Sequence, residues 1–168
     1  SITDGQIYLE SDLFNKGIRP AINVGVSVSR VGGDAQTKAM KKVAGKLRLE
    51  LAQFRELEAF VQFSSDLDGE TKQRIEKGKF MVEVLKQDKA VLLPFEKEVV
   101  IIYVAGADLI NDADKSKVAE IEHAFFSHLE NQYPQILPEI AETRVLSDAS
   151  QDALKEAVRS FKAEHKAF

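Results

Sequence analysis

Apolar residues recur every three or four positions along most of the chain, which is the spacing of one face of an α-helix. The first such stretch runs from Met40 to about Phe63. Asp34 follows a turn expected at a pair of glycines, and aspartate is a preferred N-cap residue. Gly45 is the internal position with the lowest helix propensity. The pattern predicts one long helix over residues 34–63.

Two further helices are predicted in the middle of the chain. Ser65 and Asp68 are candidate N-caps of the first, which ends near Gln87. Pro94 suits the opening position of the second, because no N–H partner is needed there. The β-branched run over residues 99–104 is also typical of a strand. Its place between two helical patterns favours a buried helix.

Two more helical patterns, which are separated by prolines, occupy the final third of the sequence. The first pattern covers residues 116–132. Pro134 and Pro138 are expected to end or restart it. The second pattern covers residues 148–165, and Ser147 is its predicted N-cap. The sequence therefore predicts a helical bundle up to Phe168.

The first 33 residues lack helical spacing and are predicted to be strand and turn. Apolar and other side chains alternate from Ile22 to Val28, which is typical of a half-buried strand. Gln6–Leu9 is a second short extended piece. Two short strands do not form a stable sheet alone, so they are expected to be the end of a larger sheet. We predict a mainly α fold, with a β remnant over residues 1–33 and a helical domain over residues 34–168.

The composition is that of a soluble globular domain with ordinary charge. The 168 residues suit one domain or one domain with a remnant. A net charge of -4, with both signs interspersed, argues against nucleic acid as a partner. The longest apolar run, Val99–Ala107, is half of what a membrane helix needs, so direct membrane insertion is not expected. The absence of cysteine excludes disulfides, thiolate metal sites and cysteine nucleophiles.

The polar residues offer few catalytic arrangements. No G-x-x-x-x-G-K-[ST] motif occurs, so the sequence has no phosphate-binding loop of that kind. His123 and His128 are five positions apart, whereas a helical zinc pair is four apart. Ser27 and Ser29 have no nearby histidine that could act as a base. The sequence predicts no metal site and argues against a self-sufficient nucleotide hydrolase.

Arg30 is the strongest candidate for chemistry. It ends the alternating segment and precedes the glycine pair. A guanidinium in such a place suits phosphate, which it binds through two parallel hydrogen bonds. The alternative is a local ion pair with Asp34, which would contribute little to stability.

The residues around Arg30 carry a specific family resemblance. The string Val28-Ser29-Arg30-Val31-Gly32-Gly33, continued by residues 35–45 and 49–57, resembles the alpha subunit of F-type ATP synthases. Residues 1–7 and 17–25 agree with that family as well. The similarity is dense up to Gln87 and weaker beyond it. The resemblance implies the end of a nucleotide-binding, RecA-like domain followed by a C-terminal helical bundle.

In that family, alpha subunits alternate with beta subunits in a six-membered ring around the rotating gamma stalk, and catalytic ATP sites lie mostly on beta. Arg30 matches the alpha-subunit arginine that reaches the phosphates across the interface. Ser1 matches a serine close to the same pocket, and Ser29 matches a residue that lines the interface. The resemblance thus implies that these three residues complete the catalytic site of a neighbouring beta subunit.

The resemblance also implies part of an adenine pocket. The alpha subunit binds its own, non-catalytic ATP or ADP with Mg²⁺, and the adenine-contacting positions are Phe14, Arg19, Pro20 and Gln87 here. Lys89 stands where the family usually has a second glutamine. Without a phosphate-binding loop, the chain alone is expected to bind no nucleotide tightly.

Two hypotheses for the function of the chain follow. The first is the C-terminal portion of an ATP synthase alpha subunit, with beta and gamma subunits as partners, catalytic only within the complex. That complex is associated with a membrane, most simply at the cytoplasmic face of a bacterial inner membrane, with a mitochondrion or plastid as the other settings. The alternative is a stand-alone helical interaction module without nucleotide chemistry.

Overall fold

The computed structural model describes residues 2–61, 68–110 and 114–165, and this part of the protein is mainly helical, as predicted. Ser1 lies outside the described residues. The elements in chain order are β1 (Gly5–Gln6), α1 (Ser11–Asn15), β2 (Val28–Ser29), α2 (Arg30–Ala35), α3 (Lys38–Val61), α4 (Gly69–Val84), α5 (Phe95–Gly106), a short 3₁₀ turn (Lys115–Lys117), α6 (Val118–Gln132), α7 (Ile136–Thr143) and α8 (Asp148–Glu164).

The backbone packs as two compact units. The first consists of Ser1–Gln36 and Gly45–Val91, and the second of Thr37–Ala44 and Leu92–Phe168. These are packing units, and the domain boundary predicted near Gly33 stays a prediction.

The predicted helices in the middle of the chain are confirmed. The long helix predicted over residues 34–63 is α3, which begins at Lys38 and continues through Gly45 without a break. Residues 62 and 63 lie outside the described residues. Asp68 caps α4, and its Oδ1 accepts a hydrogen bond of 2.7 Å from the Thr71 backbone N–H. Pro94 directly precedes α5, in which the β-branched run is helical and largely buried. The other candidate cap, Ser65, lies outside the described residues.

The last helices also agree with the sequence pattern. A 3₁₀ turn occupies the start of the predicted fourth helix, and α6 begins two residues later than expected, at Val118. α7 begins after Pro134 and contains Pro138 in its first turn, where proline is tolerated. Ser147 caps α8, with its Oγ accepting a 3.0 Å hydrogen bond from the Ser150 N–H.

Two predictions near the N-terminus were wrong. The alternating segment Ile22–Val28 is not one strand, since only Val28 belongs to β2 and Ile22 makes a single bridge to Leu9. The residues between them form a turn. Asp34 does not cap the long helix either, because the expected glycine turn is itself helical and Asp34 lies inside α2.

The core of the second unit lies among the four helices α5, α6, α7 and α8. α5 and α6 both contact α7 and α8. The rings of Phe125 and Phe161 meet edge to face with centroids 5.4 Å apart, an arrangement that aromatic pairs favour. The start of α3 joins this unit, because the Ala39 N–H donates to the Arg144 carbonyl at 3.0 Å.

The first unit combines the N-terminal segments with most of α3 and with α4. β1 and β2 pair antiparallel, with Gly5 opposite Ser29. α3 contacts α4 where Phe54 packs against Gly78, and Lys77 and Glu50 form an ion pair of 3.1 Å nearby. All of the sequence-predicted site residues that the structure describes belong to this unit.

Candidate functional site

Arg30 is the first residue of α2, and the local structure around it is fixed by Ser29 and Asp4. The Ser29 hydroxyl oxygen accepts a 3.0 Å hydrogen bond from the Gly32 N–H and so caps the helix. The Asp4 carboxylate accepts from the Val31 N–H at 3.0 Å and from the Ser29 hydroxyl at 2.9 Å. We call Asp4, Ser29 and Arg30 the Arg30 cluster. The backbone that follows Arg30 is therefore held by two side chains, those of Ser29 and Asp4.

The guanidinium of Arg30 extends into solvent from this cluster. Its Nε lies 3.8 Å from Asp4 Oδ1, and the side chain is 77% exposed. An ion pair of that length and exposure holds the side chain weakly. The end of the guanidinium is therefore accessible to a ligand, while the residue's backbone position is fixed. Asp34, the ion-pair partner considered from sequence, lies one turn further along α2.

Phe14 and Arg19 are brought together by a tight turn after α1. The N–H of Gly17 donates to the Phe14 carbonyl at 3.0 Å, and the N–H of Ile18 donates to the Leu13 carbonyl at 2.9 Å. This pair of bonds is a Schellman motif, and it requires Gly17 to adopt its left-handed φ of 79°. The turn reverses the chain, so that the Arg19 guanidinium lies 4.2 Å from the centroid of the Phe14 ring.

Gln87 joins this pair from the segment that follows α4. Its backbone N–H donates to the Arg19 carbonyl at 2.9 Å, although the two residues are far apart in sequence. Pro20 follows Arg19 through a cis peptide bond. The structure therefore assembles all four positions that the sequence selected for an adenine pocket. We call Phe14, Arg19, Pro20 and Gln87 the Phe14 cluster.

The chemistry of the Phe14 cluster fits a flat, partly apolar ligand. All four residues are exposed, including half of the Phe14 surface. A ring face, a guanidinium plane and a side-chain amide can stack on and hydrogen-bond to a purine. In the structure the Gln87 amide instead donates to the Val91 carbonyl at 2.5 Å. That bond closes a turn containing Ala90, whose φ of 65° is left-handed.

Two further positions were singled out in the sequence, Ser1 and Lys89. Ser1 lies outside the described residues, so its predicted place beside Arg30 stays a prediction. Lys89 is exposed within the turn after Gln87.

Sequence reasoning missed the residues that support the site. Asp4 was not selected, although it contacts both neighbours of Arg30. Asn23 is the second omission, and its side-chain oxygen accepts hydrogen bonds from Arg55 of α3 and from the Gly25 N–H. No local pattern reveals these residues, because their partners are 25 and 32 positions away.

Neither a metal centre nor a membrane span is found in the described ranges. Within residues 2–61, 68–110 and 114–165, no three histidine or carboxylate side chains are grouped so that they could hold a metal ion. No helix there is both long enough and apolar enough to span a bilayer.

Comparison with known proteins identifies the family. The model of the family described as "ATP synthase alpha/beta chain, C terminal domain" matches residues 36–161. ATP synthase subunit alpha of Aquifex aeolicus (strain VF5) is 57% identical over 162 residues, which are 96% of this chain and 32% of that protein. ATP synthase subunit alpha of Clostridium botulinum (strain Eklund 17B / Type B) is 53% identical over the same shares. The chain thus spans 32% of the length of these relatives, which are alpha subunits. It belongs to the family of C-terminal domains found in the alpha and beta subunits of ATP synthases.

Proposed function

We propose that this chain is a portion of an ATP synthase alpha subunit, and that Arg30 acts as an arginine finger in the catalytic site of a neighbouring beta subunit. The observation that carries the proposal is the placement of Arg30. Its backbone is fixed at a helix start, and its guanidinium is 77% exposed. An arginine that serves another subunit must have this combination of a rigid base and an accessible end.

The physical reason for an arginine there lies in phosphoryl transfer. Negative charge spreads over the transferred group in the transition state, and the planar guanidinium fork stabilises it through two hydrogen bonds. An arginine finger raises the rate of such reactions by a factor of about 10³–10⁵. The Mg²⁺-bound nucleotide and the phosphate-binding loop would be supplied by the rest of the complex.

The Phe14 cluster is proposed to hold the adenine ring of a second, non-catalytic nucleotide. Its ring face and its guanidinium plane offer stacking surfaces, and the Gln87 amide is a specific hydrogen-bonding group. The cluster is built from α1, the segment that follows its C-terminal turn, and the segment after α4. Phosphates of this nucleotide would have to bind elsewhere on the full-length subunit.

The partners and location follow from the same proposal. Beta subunits would flank the chain in an alternating ring, and the helical second unit would adjoin them and the gamma stalk. The complex would sit at the surface of a membrane without insertion of this chain. A stand-alone interaction module is not favoured, because the relatives that match nearly all of this sequence are ATP synthase alpha subunits.

The test uses the full-length alpha subunit assembled with beta and gamma subunits. Arg30→Ala should lower ATP turnover at saturating substrate by about 10³-fold or more, since the lost interaction belongs to the transition state. Assembly should be unchanged, because the Arg30 side chain is exposed. Arg30→Lys should recover little, because an ammonium lacks the fork.

The matched control is Arg159→Ala, which removes an equally exposed arginine from α8. This variant should keep wild-type turnover. Wild-type turnover in an assembled Arg30→Ala complex would overturn the proposal.

A further inference from the structure

A loop over residues 23–27 connects the bridge at Ile22 to β2, and β2 leads directly to Arg30 at the start of α2. Its turn is closed by Ser27, whose N–H and hydroxyl both donate to the Asn23 carbonyl, at 3.1 Å and 2.6 Å. The Ser27 hydroxyl oxygen also accepts a 3.0 Å bond from the Tyr8 N–H. The loop thus has a defined shape, and it leads through β2 into α2.

The long helix α3 contacts this loop with two arginines. Arg55 donates from Nη1 to the Asn23 side-chain oxygen, and Arg48 donates from Nη2 to the Ser27 carbonyl at 3.2 Å. The two arginines are seven positions apart, so they lie on the same face of the helix. One face of α3 therefore contacts the loop at both ends of its turn.

Asn23 is the residue through which Arg55 acts on the loop. Its side-chain oxygen also accepts from the Gly25 N–H at 3.1 Å, and its amide donates to Glu10 at 2.5 Å. Both Asn23 and Arg55 are half-buried, so their contact is less screened by water than a surface pair. Loss of the Arg55 donor would leave the turn without its link to α3 at this point.

Gly25 lies beside the Arg55–Asn23 contact and has no side chain to obstruct it. A Cβ atom at position 25 would lie 3.0 Å from Arg55 Nη1 and 3.4 Å from the Asn23 side-chain oxygen. A larger residue would therefore press on the guanidinium just where it meets Asn23. The absence of a side chain at position 25 therefore leaves room for the Arg55–Asn23 contact.

We infer that Arg55 is a positioning residue for Arg30, and that it links the orientation of α3 to the placement of the arginine finger through Asn23. The inference rests on the proposed function of Arg30. Because the Arg30 side chain is itself mostly in solvent, the position of its guanidinium depends on the backbone that carries it. That backbone follows β2, which continues directly from the loop that Arg55 and Arg48 contact.

The test compares Arg55→Met with Arg55→Lys in the assembled complex of full-length subunits. Both side chains are similar in length, but only lysine retains a donor for Asn23. Arg55→Met should lower kcat about tenfold with little change in KM, since a misplaced catalytic group weakens transition-state binding. Arg55→Lys should keep most of the activity. Arg74→Met, at an exposed arginine of α4, is the control that should change neither constant.

A double variant separates positioning from a general structural role. In an Arg30→Ala background, Arg55→Met should cause no further loss of turnover, because the group that it positions is gone. Hydrogen exchange of the amides from Asn23 to Val31 should rise in Arg55→Met and stay unchanged in Arg74→Met. If Arg55→Met prevents assembly, Asn23→Ala removes the acceptor instead and is measured in the same way.

Each outcome has a distinct meaning. Wild-type kcat for Arg55→Met, beside a strong defect for Arg30→Ala, would overturn the inference and leave the arginine finger intact. A full further tenfold loss in the Arg30→Ala background would also overturn it, because Arg55 would then act by another route. Wild-type turnover for Arg30→Ala would instead show that the proposed function is wrong.

Discussion

The guanidinium of Arg19 lies over the Phe14 ring, with its central carbon 4.2 Å from the ring centroid. A cation at this distance is attracted by the negative face of the ring. The Schellman turn at Gly17 sets the contact, and the bond from the Gln87 N–H to the Arg19 carbonyl anchors it from the other side. The pair therefore presents adjoining planar groups at the surface.

Replacing Phe14 by Leu should weaken nucleotide binding at the non-catalytic site of the assembled complex. The change keeps an apolar side chain but removes the π face, whose stacking and cation contacts are worth about 0.5–2 kcal/mol. We expect binding of ADP to weaken several-fold, as measured by equilibrium dialysis with the catalytic sites already filled. Tyr8→Leu, at another exposed aromatic residue of the same unit, is the control. Equal affinity for wild type and Phe14→Leu would contradict the adenine assignment.

The isolated chain should neither hydrolyse Mg-ATP nor bind it tightly. It supplies an arginine and part of an adenine site, but its sequence has no phosphate-binding loop. Titration calorimetry with Mg-ATP should give no binding at micromolar concentrations, and a phosphate-release assay should give only background. Micromolar affinity for the chain alone would mean that it contains a complete site.

The helices of this protein were predictable because their apolar residues have helical spacing and residues typical of helix starts precede them. In α5 the β-branched run favours a strand by propensity, yet its place after Pro94 and between two helical patterns indicates a buried helix, which the structure confirms. The segment from Ile22 to Val28 shows the opposite case. Its alternation is typical of a strand, but Asn23 and Ser27 bond to the local backbone and form a turn instead.

The site was predictable only in part. The resemblance selected Phe14, Arg19 and Gln87, and the structure brings these residues together. The residues that support the segment around Arg30 were not predictable, because Asp4 and Arg55 contact positions that are distant in sequence. Such contacts depend on tertiary packing, and neither the periodicity of the sequence nor the residue type predicts them.

The stability of α4 should depend on pH through Asp68. Hydrogen bonds from the Thr71 backbone N–H and then from its hydroxyl lower the pKa of Asp68 below its ordinary value of 3.8. Because the pKa is lower in the folded state than in the unfolded state, the ionised carboxylate stabilises the fold at pH values above the unfolded-state pKa. This stabilisation is lost as the pH falls through the folded-state pKa. The stability difference between wild type and Asp68→Asn should therefore shrink on acidification below 3.8.

The measurement for Asp68 is urea unfolding, followed by circular dichroism at a series of pH values. Asp68→Ser is a useful comparison, since serine caps a helix without titrating in this range. A difference between wild type and Asp68→Asn that stayed constant or grew towards acid pH would contradict the prediction.

The same substitution, glycine to alanine, should have opposite effects in two helices. Gly78 lies inside α4, where an added Cβ would be 2.2 Å from the Phe54 ring. Because both residues are buried, Gly78→Ala should lower the free energy of unfolding by about 1–3 kcal/mol through overpacking. Gly45 lies inside α3, is exposed, and has no atom within 4 Å of the added Cβ. Gly45→Ala should raise the free energy of unfolding by about 0.5–1 kcal/mol, because alanine favours the helix.

The steric explanation for Gly78 predicts a further effect, which a double variant tests. If the added methyl group collides with the Phe54 ring, then a smaller residue at position 54 should relieve the collision. Gly78→Ala should therefore cost less in a Phe54→Leu background than in wild type, a coupling that urea unfolding of the four proteins measures. Equal costs in both backgrounds would show that Phe54 does not set the requirement for glycine. A stabilising effect of Gly78→Ala on its own would show that α4 and α3 do not pack as closely at this point as the structure has them.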